Sequence, residues 1–100
     1  MADSRREAPI NVHQERRGLY RLTIEGELWA SVEWSDRRNS WCIEDSCNRC
    51  LMHVAGIHGE APKASKAIAV AKKMIRSGEM PSPETVKARM RGNMSSRSQR

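Results

Sequence analysis

The spacing of apolar residues changes its period once along the chain, and this change limits the folds available to it. Between Leu19 and Trp34 apolar and polar residues largely alternate, which is the period of a β-strand. Between Ala64 and Ile75 the apolar residues recur every three or four positions, which is the period of a helix with one buried face. Strands that are followed by helices, rather than alternating with them, predict an α+β domain with an antiparallel sheet.

The first predicted hairpin has two possible registers, which differ in the length of its turn. A two-residue turn at Glu25-Gly26 would split the apolar residues between both faces of the sheet. A three-residue turn over 24–26 places Gly26 in a left-handed conformation and pairs Leu22 with Leu28, which makes one apolar face continuous. We therefore predict the second register. It puts Leu28, Ala30, Val32 and Trp34 on the inner face, toward the helices, and Trp29, Ser31 and Glu33 on the outer face.

A second hairpin and two helices complete the predicted fold. A turn over 46–48 pairs Trp41 with His53, so that both side chains face inward. Pro62 can open the first helix, and Ser82-Pro83 is a typical start of a second.

The prediction is an α+β domain: a three- to four-stranded antiparallel β-meander, then one main helix packed on the sheet, then a short C-terminal helix ending near Arg91. Residues 1–17 are expected to be a flexible arm, residues 18–92 the domain, and residues 93–100 a disordered basic tail, because both ends are poor in apolar residues.

Charge is distributed unevenly along the chain, whose net charge is +6. Residues 1–62 hold eight Arg and ten acidic residues, whereas residues 63–100 hold five Lys, five Arg and two Glu. Positive charge concentrated in one half favours a polyanionic partner, although a solvated, Lys-rich helix gives the same pattern. We expect a small accessory or regulatory protein that binds nucleic acid weakly, or an acidic protein surface, through this half. The candidate residues are Lys66, Lys72, Lys73, Arg76, Lys87, Arg89 and Arg91.

The outer face of the predicted sheet suggests a second hypothesis. An exposed Trp29 among polar residues is unusual on a solvated face and indicates a contact surface. The chain would then be a protein-binding adaptor or inhibitor of bacterial or phage type, or would form a homodimer. The candidate interface residues are Arg21, Trp29, Ser31 and Met52.

Three cysteines and a histidine offer ligands of the kind that zinc prefers: Cys42, Cys47, Cys50 and His53, with His58 as a further candidate. In the predicted register Cys42 and Cys50 share the outer face while His53 points inward, so the four cannot meet. We therefore predict free thiols with no metal and no other cofactor, and keep a zinc-stabilised module as the third hypothesis. Cys47 and Cys50 also form a CxxC pair, but redox pairs of this kind usually lie at a helix N-terminus rather than in a turn.

The sequence has no pattern typical of an enzyme. Its six glycines are scattered singly, which excludes a glycine-rich phosphate loop, and the adjacent Glu44 and Asp45 point to opposite faces of a strand. The longest apolar run, Ala67 to Ala71, is too short to span a bilayer. Three cysteines cannot complete a disulfide framework within the chain. We expect a non-enzymatic, cytoplasmic protein with no membrane partner.

Overall fold

The computed structural model describes residues 3–56 and 63–98, and side chains as far as Gly92. Its strands form one antiparallel sheet in the order β1-β2-β3-β4-β5, in which each strand pairs with the next along the chain. The predicted α+β meander followed by two helices is thus confirmed, with one strand more than expected. The elements are a 3₁₀-helix (Ser4–Glu7), β1 (Asn11–Arg16), β2 (Leu19–Ile24), β3 (Glu27–Ser35), β4 (Ser40–Glu44), β5 (Cys50–Ala55), α1 (Ala64–Ser77) and α2 (Pro83–Ser98).

The additional strand, β1, lies in the segment that the sequence analysis assigned to a flexible arm. Val12 pairs with Leu22 and His13 with Arg21, and all six side chains of β1 are exposed. An edge strand without a buried side chain carries no apolar alternation, so periodicity could not detect it. The 3₁₀-helix before it is tied to α1 through Arg6, whose guanidinium donates to the carbonyl oxygens of Ile75 and Met80.

The first hairpin differs from the prediction in both its turn and its faces. The turn has two residues, Glu25 and Gly26, with φ of +52° and +81°, as a type I′ hairpin turn requires. The apolar faces are matched by a β-bulge instead, because Leu22 pairs with Ala30 while Thr23 pairs with Leu28. The bulge turns the Trp29 side chain to the inner face, where the sequence had placed Leu28.

Helix α1 packs its predicted apolar stripe on the inner face of the sheet. Ala67, Ala71, Met74 and Ile75 are buried, and small alanines let the helix lie close to β3 and β4. The helix ends at Gly78, whose φ of +92° is the left-handed conformation of a helix C-cap. The buried residues around it form one core: Leu22, Ile24, Trp29, Ala30, Val32, Trp41, Ile43, Val54, Ala67, Ala71, Met74, Ile75 and Met80.

Helix α2 starts as the sequence predicts and extends further. The Ser82 hydroxyl accepts a hydrogen bond from the backbone N–H of Thr85 at 3.2 Å, which confirms Ser82 as the N-cap. The helix continues past Gly92 to Ser98, through most of the segment expected to be a disordered tail. The predicted role of Pro62 in opening α1 falls outside the described residues.

Candidate functional site

The seven candidate basic residues all lie at the surface of the two helices. Lys66, Lys72, Lys73 and Arg76 are exposed on α1, on the side away from the buried alanine stripe. Lys87, Arg89 and Arg91 are exposed on α2. Within the described residues, six of the seven side chains make no hydrogen bond or ion pair, and the exception is Arg76.

Arg76 holds the N-terminal segment in place. One of its terminal nitrogens donates to the backbone carbonyl oxygens of Arg6 and Ala8, the latter at 2.6 Å. Arg6 reaches in the opposite direction to Ile75 and Met80. Arg6 and Arg76 together hold the N-terminal segment against the end of α1. Within the described residues, Arg76 therefore has a structural role that the other six candidate basic residues lack.

Among the described side chains of helix α2, the buried ones lie in its first turn. Ser82, Pro83 and Val86 are buried, whereas every side chain from Lys87 to Gly92 is exposed. A groove of about 560 Å³ separates this part of α2 from the β4–β5 turn, and Met90, Arg89, Leu51 and Cys50 are among the residues that line it. The basic part of α2 therefore stands away from the sheet with most of its circumference open to solvent.

The predicted protein interface does not form one surface. Trp29 is 0 % exposed and lies in the core, with the guanidinium groups of Arg5 and Arg6 at 5.0 and 5.2 Å from its ring centroid. Ser31 is also fully buried, on the outer face. Met52 is 40 % exposed but belongs to the inner face, because it pairs with Ile43. The prediction of an exposed sheet face around Trp29 is wrong, because it rested on a register without the bulge.

On the outer face of the sheet, long charged side chains cover the polar residues of the central strands. Arg21 donates to the Ser31 hydroxyl at 2.7 Å and also pairs with Glu15 and Asn48. Arg16 forms an ion pair with Glu33 at 2.7 Å. These long side chains bury much of the outer surface of β3 and β4, and no helix or strand of the described residues forms a second layer over this face.

Glu44 lies beneath this layer and is only 8 % exposed. It sits between Ser31 on β3 and Cys50 on β5. Burial, and then repulsion from Glu33, raise the pKa of Glu44 to about 7, and Arg21 only partly opposes them. This site could not be predicted from the sequence, since a single Glu on a strand normally indicates a solvated face.

The candidate metal ligands come together more closely than the sequence predicts. Cys42 and Cys50 share the outer face and are joined by a disulfide, so the prediction of free thiols is wrong for this pair. His53 also lies on the outer face, because it pairs with Cys42 rather than with Trp41. A bulge at Leu51 shifts the register of β5 by one residue and causes this difference.

The remaining two candidates are placed differently. Cys47 is a free cysteine in the turn between β4 and β5, where its backbone N–H donates to the Asp45 carboxylate. His58 lies outside the described residues. One ligand atom each of Cys42, Cys50 and His53 lies within 4.8 Å of the other two, so three of the four residues first considered for zinc form a cluster.

Comparison with protein-family models, with curated proteins and with solved structures finds no match to this chain. Within the part that the structure describes, neither helix combines the length and apolar character that crossing a bilayer requires.

Proposed function

We propose that the chain is a small, non-enzymatic, cytoplasmic accessory protein that binds nucleic acid weakly through its basic C-terminal half. The observation that carries this proposal is the set of basic side chains on α1 and on the open part of α2 that make no hydrogen bond or ion pair within the described residues. Such a surface attracts a polyanion through counterion release, which needs no base-specific contacts.

The acidic residues of this half do little to offset its charge. Residues 63–100 carry a net charge of +8, with Glu79 and Glu84 as the two acids. Glu84 is neutralised by Arg5, which donates to both of its carboxylate oxygens at 2.9 and 2.7 Å. This ion pair lowers the pKa of Glu84 to about 2, so its charge stays paired at neutral pH. No other acid lies between Thr85 and the C-terminus.

The basic side chains of α2 are placed so that they can contact a nucleic-acid groove or backbone. Lys87 and Arg91 are one turn apart and share a helix face, while Arg89 extends from another side. No side chain from Lys87 to Gly92 is buried, so this part of α2 gains little from packing within its own domain. A nucleic-acid backbone would supply the partner that this helix lacks.

The expected contacts are Lys66, Lys72, Lys73, Lys87, Arg89 and Arg91, because Arg76 is engaged with the N-terminal segment. If about five of these reach phosphates of duplex DNA, counterion release predicts a log–log salt slope of about −4 to −5. The dissociation constant should be about 10⁻⁴ to 10⁻⁶ M near physiological salt, with little dependence on sequence. Fluorescence anisotropy of labelled duplex and single-stranded oligonucleotides between low and physiological salt measures both quantities.

A matched pair of charge-reversal variants tests where binding occurs. Lys87→Glu with Arg91→Glu should reduce the slope by about 2 and weaken binding at every sequence tested. Arg37→Glu with Arg38→Glu makes the same change of charge in the β3–β4 turn, at the end of the sheet opposite the β4–β5 turn, beside which α2 lies. This second variant should keep most of the slope. If the two variants reduce the slope equally, binding responds only to net charge and not to the location of the basic residues. If the chain binds an acidic protein but no oligonucleotide at low salt, the proposal is refuted.

A further inference from the structure

We infer that Cys42, Cys50 and His53 form a redox-controlled zinc site: the reduced thiolates and the imidazole bind Zn²⁺, and oxidation to the disulfide releases it. This site lies on the outer face of the sheet and uses none of the basic residues of the proposed nucleic-acid surface. The inference therefore does not need nucleic-acid binding, and takes from the proposed function only the reducing compartment.

The distance between Cys50 and His53 is close to that between two ligands of a tetrahedral zinc ion. Zinc bonds of ~2.3 Å to sulfur and ~2.0 Å to nitrogen, at tetrahedral angles, put a sulfur and a nitrogen ligand about 3.5 Å apart. The Cys50 sulfur and the Nε2 atom of His53 are 3.6 Å apart in the structure. The Cα atoms of Cys42 and Cys50 are 6.0 Å apart on neighbouring strands, so the reduced sulfurs can separate by side-chain rotation alone.

His53 is also held in the orientation that a metal ligand needs. Its Nδ1 atom lies 3.2 Å from the Ser40 hydroxyl, and its Nε2 atom faces the Cys50 sulfur. When Nδ1–H donates to the Ser40 hydroxyl, the free lone pair of the imidazole is on Nε2, the arrangement that outer-shell partners give to metal-bound histidines. Ser40 is 3 % exposed and is thus held in place by the sheet.

Three protein ligands leave one position of a tetrahedral ion open. Cys50 and His53 are exposed, so water can reach the metal and complete its coordination. Soft thiolate ligands with an imidazole favour Zn²⁺ over hard cations such as Mg²⁺ and Ca²⁺. Disulfides are rare in a reducing cytoplasm, so in the compartment proposed for this chain the thiols are the form available to zinc.

The release step balances with a low-molecular-weight disulfide as oxidant. One zinc-bound thiolate attacks a sulfur of oxidised glutathione, forms a mixed disulfide and displaces one glutathione thiolate. The second cysteine thiolate attacks the protein sulfur of this mixed disulfide and displaces the other. The cysteine pair loses two electrons, oxidised glutathione gains them as two thiolates, and Zn²⁺ leaves with its charge balanced by these two anions.

The test measures zinc on the full chain in its reduced and oxidised forms. The reduced protein, after removal of the reductant, should retain about one equivalent of added Zn²⁺ through desalting, and Co²⁺ in its place should give the visible absorption of a tetrahedral thiolate complex. Addition of oxidised glutathione should release the zinc to a chromogenic chelator while the Cys42–Cys50 disulfide forms. A reduced wild-type chain that retains no zinc would overturn the inference.

Variants then identify the ligands. Cys50→Ser and His53→Gln change exposed residues, so they should keep the native circular dichroism spectrum while losing the retained zinc. Cys47→Ser is the matched control and should keep it, because Cys47 is not a member of the cluster. Ser40→Ala should weaken zinc binding by about tenfold. Full zinc retention in His53→Gln, or its loss in Cys47→Ser, would refute this ligand set.

Discussion

Replacing Glu44 with glutamine should change how the stability of the domain depends on pH. The variant keeps the shape of the side chain and removes its charge. In the wild type, burial raises the pKa of Glu44 from 4.5 to about 7. The folded state therefore binds more protons than the unfolded state between these two values. The stabilisation due to Glu44 is fully present below pH 4.5 and is lost as the pH rises through about 7.

The magnitude follows from the size of this shift. At 1.36 kcal/mol for each pKa unit, a rise from 4.5 to about 7 corresponds to about 3 kcal/mol in the free energy of unfolding. This free energy is an upper limit, because Arg21 can move toward the ionised Glu44 carboxylate and stabilise it. Relative to the wild type, Glu44→Gln should gain up to about 3 kcal/mol between pH 4.5 and pH 8.

Urea unfolding across this pH range, followed by tryptophan fluorescence with the disulfide intact and a chelator present, measures the difference. Trp29 and Trp41 are both buried and report the loss of the core. Glu33→Gln removes the neighbouring charge but not the burial of Glu44, and should therefore give a smaller change of the same sign. If the wild-type and Glu44→Gln curves run parallel from pH 4.5 to 8, Glu44 does not titrate in a buried site and the reasoning fails.

Two further predictions concern the core and the N-terminal segment. Trp29→Ala should lower the free energy of unfolding by about 3–5 kcal/mol, because Trp29 is fully buried. Trp34→Ala removes a half-buried ring packed edge-on against Trp41 and should cost clearly less in the same urea assay. Equal losses of stability in the two variants would contradict the observed bulge. Arg5→Met should raise the pKa of Glu84 from about 2 toward its ordinary value near 4.3, measured by NMR titration of the side-chain carboxyl, while Arg38→Met should leave it unchanged. Because the paired carboxylate has the lower pKa in the folded state, the stabilisation from this ion pair is present above pH 4.5 and is lost in the wild type as the pH falls through about 2. If the pKa of Glu84 in Arg5→Met stays at the wild-type value, Arg5 is not the group that lowers it.

Periodicity predicted the elements that bury an apolar face and missed those that do not. The alternation in β2 and β3 and the helical spacing in α1 both reflect burial, and these elements were found with the expected type. Strand β1 and the later turns of α2 bury no side chain among the residues described there, and apolar residues such as Val12 and Met90 do not recur at the spacing of a buried face. Ser82-Pro83 predicted the start of α2 correctly because a cap is a local interaction that needs no burial.

The candidate sites depended on strand register, which the alternation of apolar residues predicts only within stretches of strand that contain no β-bulge. Each face assignment assumes a regular strand, and one extra residue moves every later side chain to the opposite face. Such an extra residue occurs at Trp29 in β3 and at Leu51 in β5. The first bulge buried the residue on which the predicted protein interface rested.

Both bulges leave a signal that alternation alone does not use. Each occurs where two large apolar residues are adjacent in a strand that otherwise alternates, Leu28-Trp29 and Leu51-Met52. In a regular strand one member of such a pair must face the outer, polar side, whereas a bulge allows the register to change between them. Applied to β5, this rule moves His53 to the face of Cys42 and Cys50, which removes the geometric objection to a shared metal site.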